Sequence, residues 1–317
     1  MHRLFLRRKY SKFKPYNARF GLGCVLDWID HWRDKMYKIV RKEVLNPIVK
    51  LMEIEAPYVA RKAEPGQFII LRVHEDGERI PLTIADYDRD KGTVTIIFQE
   101  VGKTTKMLGQ LNEGDYLLDF VGPLGKASHF GDDIKKVAVI GGGLGTAIAY
   151  PQAKKLKSMG IEVDSIIGFR NSGLIILEKE MNLASSRLFI ATEDGSVGIK
   201  GFVTDVLKKL IEEGNKYDLV IAIGPLIMMK VVSELTKKYG IKTIVSMNPV
   251  MIDGTGMCGG CRVTVGGQIK FACVDGPDFD GHEVDFDEAM RRQMMYKQEE
   301  KKSCDEYECR LGGSKNA

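Results

Sequence analysis

A chain of 317 residues is long for one core and suits two domains, and 44% hydrophobic with 28% charged residues is the balance of a folded globular protein, which excludes a disordered or fibrous class. The net charge of +4 is uneven: residues 1–35 hold nine Lys/Arg against three Asp, leaving 38 against 40 in the remainder, so a basic surface for nucleic acid is not expected outside that leader. The longest uncharged run, residues 137–153, is broken by four glycines and Pro151 and reads as a nucleotide loop rather than a membrane span.

Residues 1–35 are Arg-rich and acid-poor like a transit peptide, but contain a single serine. They read as an upstream start choice or a loosely ordered extension with no catalytic role. Six cysteines, three of them within sixteen residues, are not a disulfide framework. The compartment expected is therefore reducing and cytoplasmic.

From residue 37 the pattern is short alternating runs, "YKIVRKEVL", "IVKLMEIE", "QFIILRVH", "IPLTIADYD", "GTVTIIFQEV" and "DYLLDFVGP", with one helical interruption over 104–111. Their close spacing predicts a β-barrel over residues 36–132. The rhythm then changes to strand–helix alternation, "KKVAVIGG", a helix through Leu156, "EVDSIIGF", "SRLFIATE", a helix over 202–213, "DLVIAIGP", a helix through Lys238 and "KTIVSM". That predicts a doubly wound, mostly parallel α/β domain over 133–248. A cysteine loop follows over 249–281, and a helical tail over 282–317 in which Asp285 caps a helix carrying Phe286, Met290 and Met294 on one face.

At the junction of an apolar strand and a helix, "VIGGGLGTA" places Gly142, Gly143, Gly145 and Thr146 where free N–H groups and the helix dipole stabilise a pyrophosphate. Two more strand ends, "TEDGSVGIKG" with Asp194 and "AIGPLIMM" with Gly224 and Pro225, mark the carboxyl edge at which open α/β sheets bind ligands. Arg170, after "IIGF", suits either a 2′-phosphate or stacking on adenine. In the barrel, "RIPLTIAD" sets Arg79, Pro81 and Thr83 on one side of a strand, with Arg79 suited to a phosphate and Thr83 to a ring nitrogen.

The loop "DGTGMCGGC" followed by "KFACVDGP" gives Cys258, Cys261 and Cys273 as three thiol ligands. Plant-type [2Fe–2S] loops read C-x4-C-x2-C with a more distant cysteine, and in that register Asp253 stands in the first position. A zinc site of three cysteines with Asp253 or His282 is the other reading of the same residues. Cys304 and Cys309 read as ordinary tail cysteines.

Barrel, glycine-rich α/β domain and "CGGC" loop together resemble the ferredoxin-NADP reductase superfamily, and within it the electron-transfer subunit of dihydroorotate dehydrogenase B. With Asp253 in place of a cysteine, they are most similar to the small subunits of NADH-dependent reduced ferredoxin:NADP oxidoreductases. The resemblance covers about residues 36–281. It implies FAD held by Arg79, Pro81, Leu82, Thr83, by Gly102, Lys103, Thr104 and Thr105 of "VGKTTKML", and by Gly122 and Gly125 of "GPLG". NAD(H) is implied on the glycine-rich edge, and a [2Fe–2S] cluster on Asp253, Cys258, Cys261 and Cys273. It further implies a larger partner subunit with FAD and [4Fe–4S] clusters, through which ferredoxin and NADP react in flavin-based electron bifurcation. Electron supply to dihydroorotate dehydrogenase is the alternative, and a zinc-stabilised nucleotide-binding module without turnover is the alternative of another class.

Overall fold

A computed structural model describes residues 36–131 and 133–313; the basic leader at residues 1–35 lies outside the described residues. The chain enters on β1 (Tyr37–Asn46), β2 (Val49–Glu55), a short helix α1 (Pro57–Lys62) that begins on proline, β3 (Phe68–Arg72), β4 (Ile80–Asp88) and β5 (Thr93–Gln99). Helix α2 (Lys103–Gln110), β6 (Tyr116–Leu117) and β7 (Asp119–Leu124) complete this part. The seven strands form one antiparallel sheet in the order β6-β1-β2-β5-β4-β3-β7. One residue, Leu118, separates β6 at one edge from β7 at the other. The two edges must therefore curl together, and the sheet becomes a nearly closed barrel. Its interior is filled by Met52, Ile54, Ile69, Leu71, Ile96 and Phe98, with Leu108 of α2 against them.

Two details depart from the sequence expectation. The run "DYLLDFVGP" is two strands rather than one, because Leu118 turns to donate its N–H to the Arg72 carbonyl at 3.0 Å while Asp119 accepts from Arg72 Nε at 2.6 Å. Arg79 lies one residue ahead of β4 and is exposed, in the loop rather than on the strand.

The second sheet is built from β8 (Lys136–Gly142), α3 (Gly145–Ser158), β9 (Glu162–Phe169), α4 (Glu178–Leu183), β10 (Arg187–Thr192), β11 (Ile199–Lys200), α5 (Val203–Glu212), β12 (Leu219–Ile223), α6 (Leu226–Lys238) and β13 (Lys242–Ser246). Its strands run parallel, and their near-continuous Val/Ile runs are buried because helices cover both faces. The order is β11-β10-β9-β8-β12-β13, with a later strand, β16 (Asp278–Asp280), beyond β13, so the winding reverses between β8 and β12. The α3 face of this sheet shares a core with the outside of the barrel, where Val49, Leu51, Ala85 and Ile97 join Val139, Ala149 and Leu156.

After β13 the chain leaves the sheet for the cysteine loop, then forms a hairpin of β14 (Arg262–Val265) and β15 (Gln268–Phe271) and a turn of helix, α7 (Ala272–Asp275). It returns as β16 (Asp278–Asp280), antiparallel to β13. Two helices end the described chain, α8 (Phe286–Gln293) and α9 (Lys297–Gly313). As expected, the Asp285 side chain caps α8 by accepting from the Glu288 N–H at 2.8 Å, and Phe286 is buried. Met290 packs against the core, whereas Met294 lies past the helix end and is exposed, so the apolar face is one residue shorter than the spacing suggested. On α9, Cys304 and Glu308 both meet Lys106 of α2, with Lys106 Nζ 3.0 Å from the Cys304 sulfur.

The amino-terminal edge of the parallel sheet is tied by a buried carboxylate. Asp164 of β9 accepts from Arg187 Nε at 2.8 Å, from Arg187 Nη2 at 2.5 Å and from the Tyr217 hydroxyl at 2.8 Å. Burial pushes this carboxyl up, but Arg187 and Tyr217 outweigh it and hold it below the usual carboxylate range. Asp164→Ala, which orphans the Tyr217 hydroxyl and unpairs Arg187, should cost about 2–3 kcal/mol in denaturant unfolding at pH 7. Because the folded value is depressed, the advantage of wild type over Asp164→Asn should persist at neutral pH and shrink only as pH falls below about 4.

Candidate functional site

The reversal of winding creates a crevice at the carboxyl ends of β8 and β12, the place where open α/β sheets receive ligands. Gly142, Gly145 and Gly224 meet there, and a methyl on Gly145 would strike the Ile223 carbonyl, so these glycines are required by the close approach of the two turns. Gly143 differs: its φ is +55° and the space beside it is open. It leaves backbone facing the crevice at the start of α3, where N–H groups and the helix dipole favour an anion. Behind it the Thr146 hydroxyl is buried without a hydrogen-bond partner. Pro225 sits at the head of α6 beside Gly224.

Arg170 and Asp194 follow β9 and β10 at the same edge, joined by an Asp194 N–H to Arg170 carbonyl bond of 3.2 Å. The Asp194 carboxylate is already turned onto the Ser196 N–H at 2.9 Å and the Ser196 hydroxyl at 2.7 Å, and Ser196 lowers its pKa. It shapes this turn, and Arg170 beside it is exposed.

In the barrel, β4 alternates. Leu82 packs against the interior, while its neighbours Pro81 and Thr83 lie on the outer face, directly opposite Ile70 and Phe68 of β3. The Leu82 side chain is thus a core residue, and only its backbone is available to a ligand. Gly102 caps α2, and the Thr105 hydroxyl closes the cap by accepting from the Gly102 N–H at 3.0 Å. Thr104 donates to Glu78 at 2.6 Å, and Thr104 and Lys103 both line the shallow cavity beside His74 and Glu78. Gly122 lies within β7, and the Gly125 carbonyl just beyond it accepts from Gln67 Nε2 at 3.0 Å.

The cysteine loop packs onto that same outer face. Cys261, Cys273, Met251 and Ala272 form one buried cluster with Phe68 and Ile70 of β3. Gly254 has φ +77°, and a methyl there would lie 2.7 Å from Leu124 and 2.8 Å from Ile70. The sulfurs of Cys261 and Cys273 are 3.1 Å apart, and burial together with the Cys261 sulfur pushes the Cys273 thiol up to about 12. Cys258 is exposed at the loop rim. Asp253 accepts from the Thr255 N–H through one oxygen and from the Cys258 N–H through the other, each at 2.9 Å, and these bonds keep its carboxyl ionised and below the usual range.

Two buried thiols, one exposed thiol and an ionised carboxylate, held on a loop opened by glycines, are a donor set suited to a thiolate-bound iron–sulfur cluster at the surface. Among the described residues, no three His, Cys, Asp or Glu side chains converge as a ready site for one metal ion. His282, the other fourth ligand considered for zinc, is engaged elsewhere, its Nε2 3.0 Å from the Thr236 hydroxyl on α6.

Residues 248–285 match the family described as the iron-sulfur cluster binding domain of dihydroorotate dehydrogenase B. The chain is 46% identical over 272 residues to a dihydroorotate dehydrogenase B (NAD(+)) electron transfer subunit homolog of Thermotoga maritima, covering 83% of this chain and 95% of the relative. It is 33% identical to the dihydroorotate dehydrogenase B (NAD(+)) electron transfer subunit of Desulforamulus reducens, over 78% of this chain and 96% of the relative. The chain belongs to this family of electron transfer subunits and their homologues. A solved chain of the NADH-dependent reduced ferredoxin-NADP oxidoreductase, from a study of flavin-based electron bifurcation, superposes on this family member with TM-score 0.82 at 44% identity. That match covers 86% of this chain and 98% of the other. The cytochrome b5 reductase domain of Ulva prolifera nitrate reductase shares the fold, with TM-score 0.55 at 17% identity over 65% of this chain and 93% of its own.

Sequence reasoning missed Phe68 and Ile70, which join the family's cysteine loop to the barrel. Their signal was present: "FIIL" is apolar without alternation, which in an antiparallel strand means that both faces are covered. Arg292 of α8, which donates to the Gly260 carbonyl at 3.2 Å, left no such trace. Gly254→Ala should lower the denaturant-unfolding free energy by about 2–4 kcal/mol, combining left-handed backbone strain with overpacking against Ile70. Loss of this loop should appear first, as increased alkylation of the buried Cys261 and Cys273.

Proposed function

We propose that this chain is the electron-transfer subunit of an electron-bifurcating NADH-dependent reduced ferredoxin:NADP oxidoreductase. It binds FAD on the barrel, NAD(H) in the crevice of the α/β domain, and a [2Fe–2S] cluster on Asp253, Cys258, Cys261 and Cys273. The observation that carries the reading is the shared face of β3 and β4. Phe68 and Ile70, which bury Cys261 and Cys273, are the direct ladder partners of Thr83 and Pro81. Flavin-contacting and cluster-contacting residues are thus one strand apart, at the neighbour spacing of about 4.8 Å.

When bound, FAD would supply the conversion between two-electron hydride chemistry at a nicotinamide and one-electron chemistry at an iron–sulfur centre, which neither of the other carriers provides. The chain's own residues set up that exchange. Pro81 and Thr83 present backbone and hydroxyl to the flavin from a strand whose alternate side chains are locked in the barrel core. Arg79 and Lys103 supply positive charge at the rim for its pyrophosphate, with the Gly102–Thr105 turn capped behind them and Gly122 and Gly125 at the barrel exit. Gly143 and the start of α3 bind the nicotinamide's pyrophosphate, with Thr146 beneath and Arg170 at the adenosine end. Asp194, Gly224 and Pro225 shape the crevice walls. Exposed Cys258, next to Met257 at 88% exposure, faces outward from the loop and meets the larger flavin- and [4Fe–4S]-bearing subunit, through which ferredoxin and NADP react.

The free state of all five described cysteines suits the reducing cytoplasm, and no helix among the described residues is long and apolar enough to cross a membrane. Anaerobic purification should yield a coloured protein with FAD, iron and sulfide and a reduced-state [2Fe–2S] EPR signal. A colourless zinc protein would overturn the reading. Asp253→Cys should retain the iron and shift the cluster's potential, and Asp253→Ala should lose iron. Unchanged iron content and spectrum in Asp253→Ala would mean that the fourth ligand lies elsewhere.

A further inference from the structure

Five residues beyond Cys273, the chain re-enters the parallel sheet at Asp278, where the barrel exit, α3 and β13 meet. Its Oδ2 accepts from the Ser128 hydroxyl at 2.5 Å and from Gln152 Nε2 at 3.4 Å, and on the ladder it stands opposite Ser246 of β13. Ser128 is itself anchored to the barrel, its N–H donating to the Pro65 carbonyl at 2.8 Å. The two preceding residues are strapped in the same way: the Gly276 carbonyl accepts from the Lys126 N–H at 2.7 Å, and the Pro277 carbonyl from the Met247 N–H at 2.9 Å.

Asp278 has an unusual environment for a carboxylate. Its other oxygen, Oδ1, is out of solvent and has no protein hydrogen-bond partner among the described residues, and the same holds for Oε1 of Gln152. The groups facing it from the barrel exit, α3 and β13 are Ser128, Gln152 and Ser246, all neutral, and among the described residues no Lys, Arg, His or acidic group biases it. An ionised carboxylate there would be a buried charge without a counter-ion, which costs several kcal/mol. A proton on Oδ1 removes the charge and makes the orphaned acceptor a donor. Exchanging the amide oxygen and nitrogen of Gln152 does not remove the need, because a carbonyl then faces the carboxyl and again calls for a proton.

We propose that Asp278 is a neutral carboxylic acid that clasps the cysteine-bearing segment to the barrel and to α3, and that the clasp loosens when this proton is lost. Burial, opposed only by those three neutral hydrogen-bonding neighbours, holds the group above the usual carboxylate range, in agreement with that assignment. The inference deepens the proposed electron-transfer role, since the clasp fixes the cysteine segment against the barrel, but it requires no bound cofactor.

The sign follows from linkage. A carboxyl with a raised folded pKa gives its full stabilisation below the unfolded value near 4, and the contribution declines as pH climbs from there to the folded value. In purified full-length protein, the folding equilibrium constant of wild type relative to Asp278→Asn should fall about tenfold per pH unit over that window. Asparagine keeps the shape and a donor and has no proton to lose, so the variant should match or exceed wild type by pH 8, while Asp278→Ala should be weaker than Asp278→Asn at every pH. A wild-type to Asp278→Asn ratio that is flat, or that rises with pH, would overturn the proposal. Should Asp278→Asn fail to fold, infrared spectra of wild type with 13C-labelled aspartate decide at pH 7. A label-sensitive protonated-acid carbonyl band supports the clasp, and absence of the band overturns it. Iron and flavin content report separately on the electron-transfer reading.

Discussion

The arrangement depends on the two faces of one five-residue strand. On β3, Ile69 and Leu71 point into the barrel and fix its interior, while Phe68 and Ile70 point out and seat the buried cysteines. Because a strand alternates strictly, one register determines both contacts, and a slip of one residue would exchange them. The same register sets Pro81 and Thr83 of β4 beside Phe68 and Ile70 rather than inside the barrel. Barrel closure, the proposed flavin strand and the seat of the cysteine loop are therefore consequences of one pairing.

The second constraint is the reversal of winding at β8 and β12. It opens a crevice on the carboxyl edge, and the glycines there let the two turns approach until Gly142 and Gly224 are backbone neighbours. Stabilising charge pairing is kept at the opposite edge, where Asp164, Arg187 and Tyr217 hold the strand beginnings. A sheet firm at its amino end and glycine-rich at its carboxyl end can carry a ligand without spending core packing on it.

Local pattern explains what the sequence disclosed. Alternating runs, buried parallel strands and the glycine-rich turn are written within windows of ten residues, and "GGGLGTA" and "CGGC" were legible as candidate nucleotide and metal-binding turns because their spacing is local. What was hidden depends on distant partners. The split of "DYLLDFVGP" needs Arg72, the fate of Arg79 needs the end of β4, and the exposure of Met294 needs the end of α8. Thr104 and Thr105, implied as ligand contacts by the resemblance, and Asp194, read from its strand end, also have polar groups engaged by Glu78, Gly102 and Ser196. Residue type shows that a hydroxyl or carboxylate is present, but not which neighbour reaches it first.

The cysteine segment follows the α/β domain in the sequence as a separate loop, and its topology makes it part of the sheet. It departs after Ser246 and returns at Asp278, and those two residues are ladder partners. An excursion whose ends are already adjacent adds little closure entropy beyond its own ordering, because the sheet rather than the loop holds the ends together. Its remaining freedom is removed by packing on Phe68 and Ile70 at one side and by the Lys126–Gly276 and Ser128–Asp278 bonds at the other. Barrel and α/β domain thus both position the loop, the barrel through Phe68, Ile70, Lys126 and Ser128 and the α/β sheet through the β13–β16 ladder. A relative movement of the two domains would have to break a contact on one side, so the geometry between the proposed flavin strand and the cysteine loop is kept by the same bonds that join the domains.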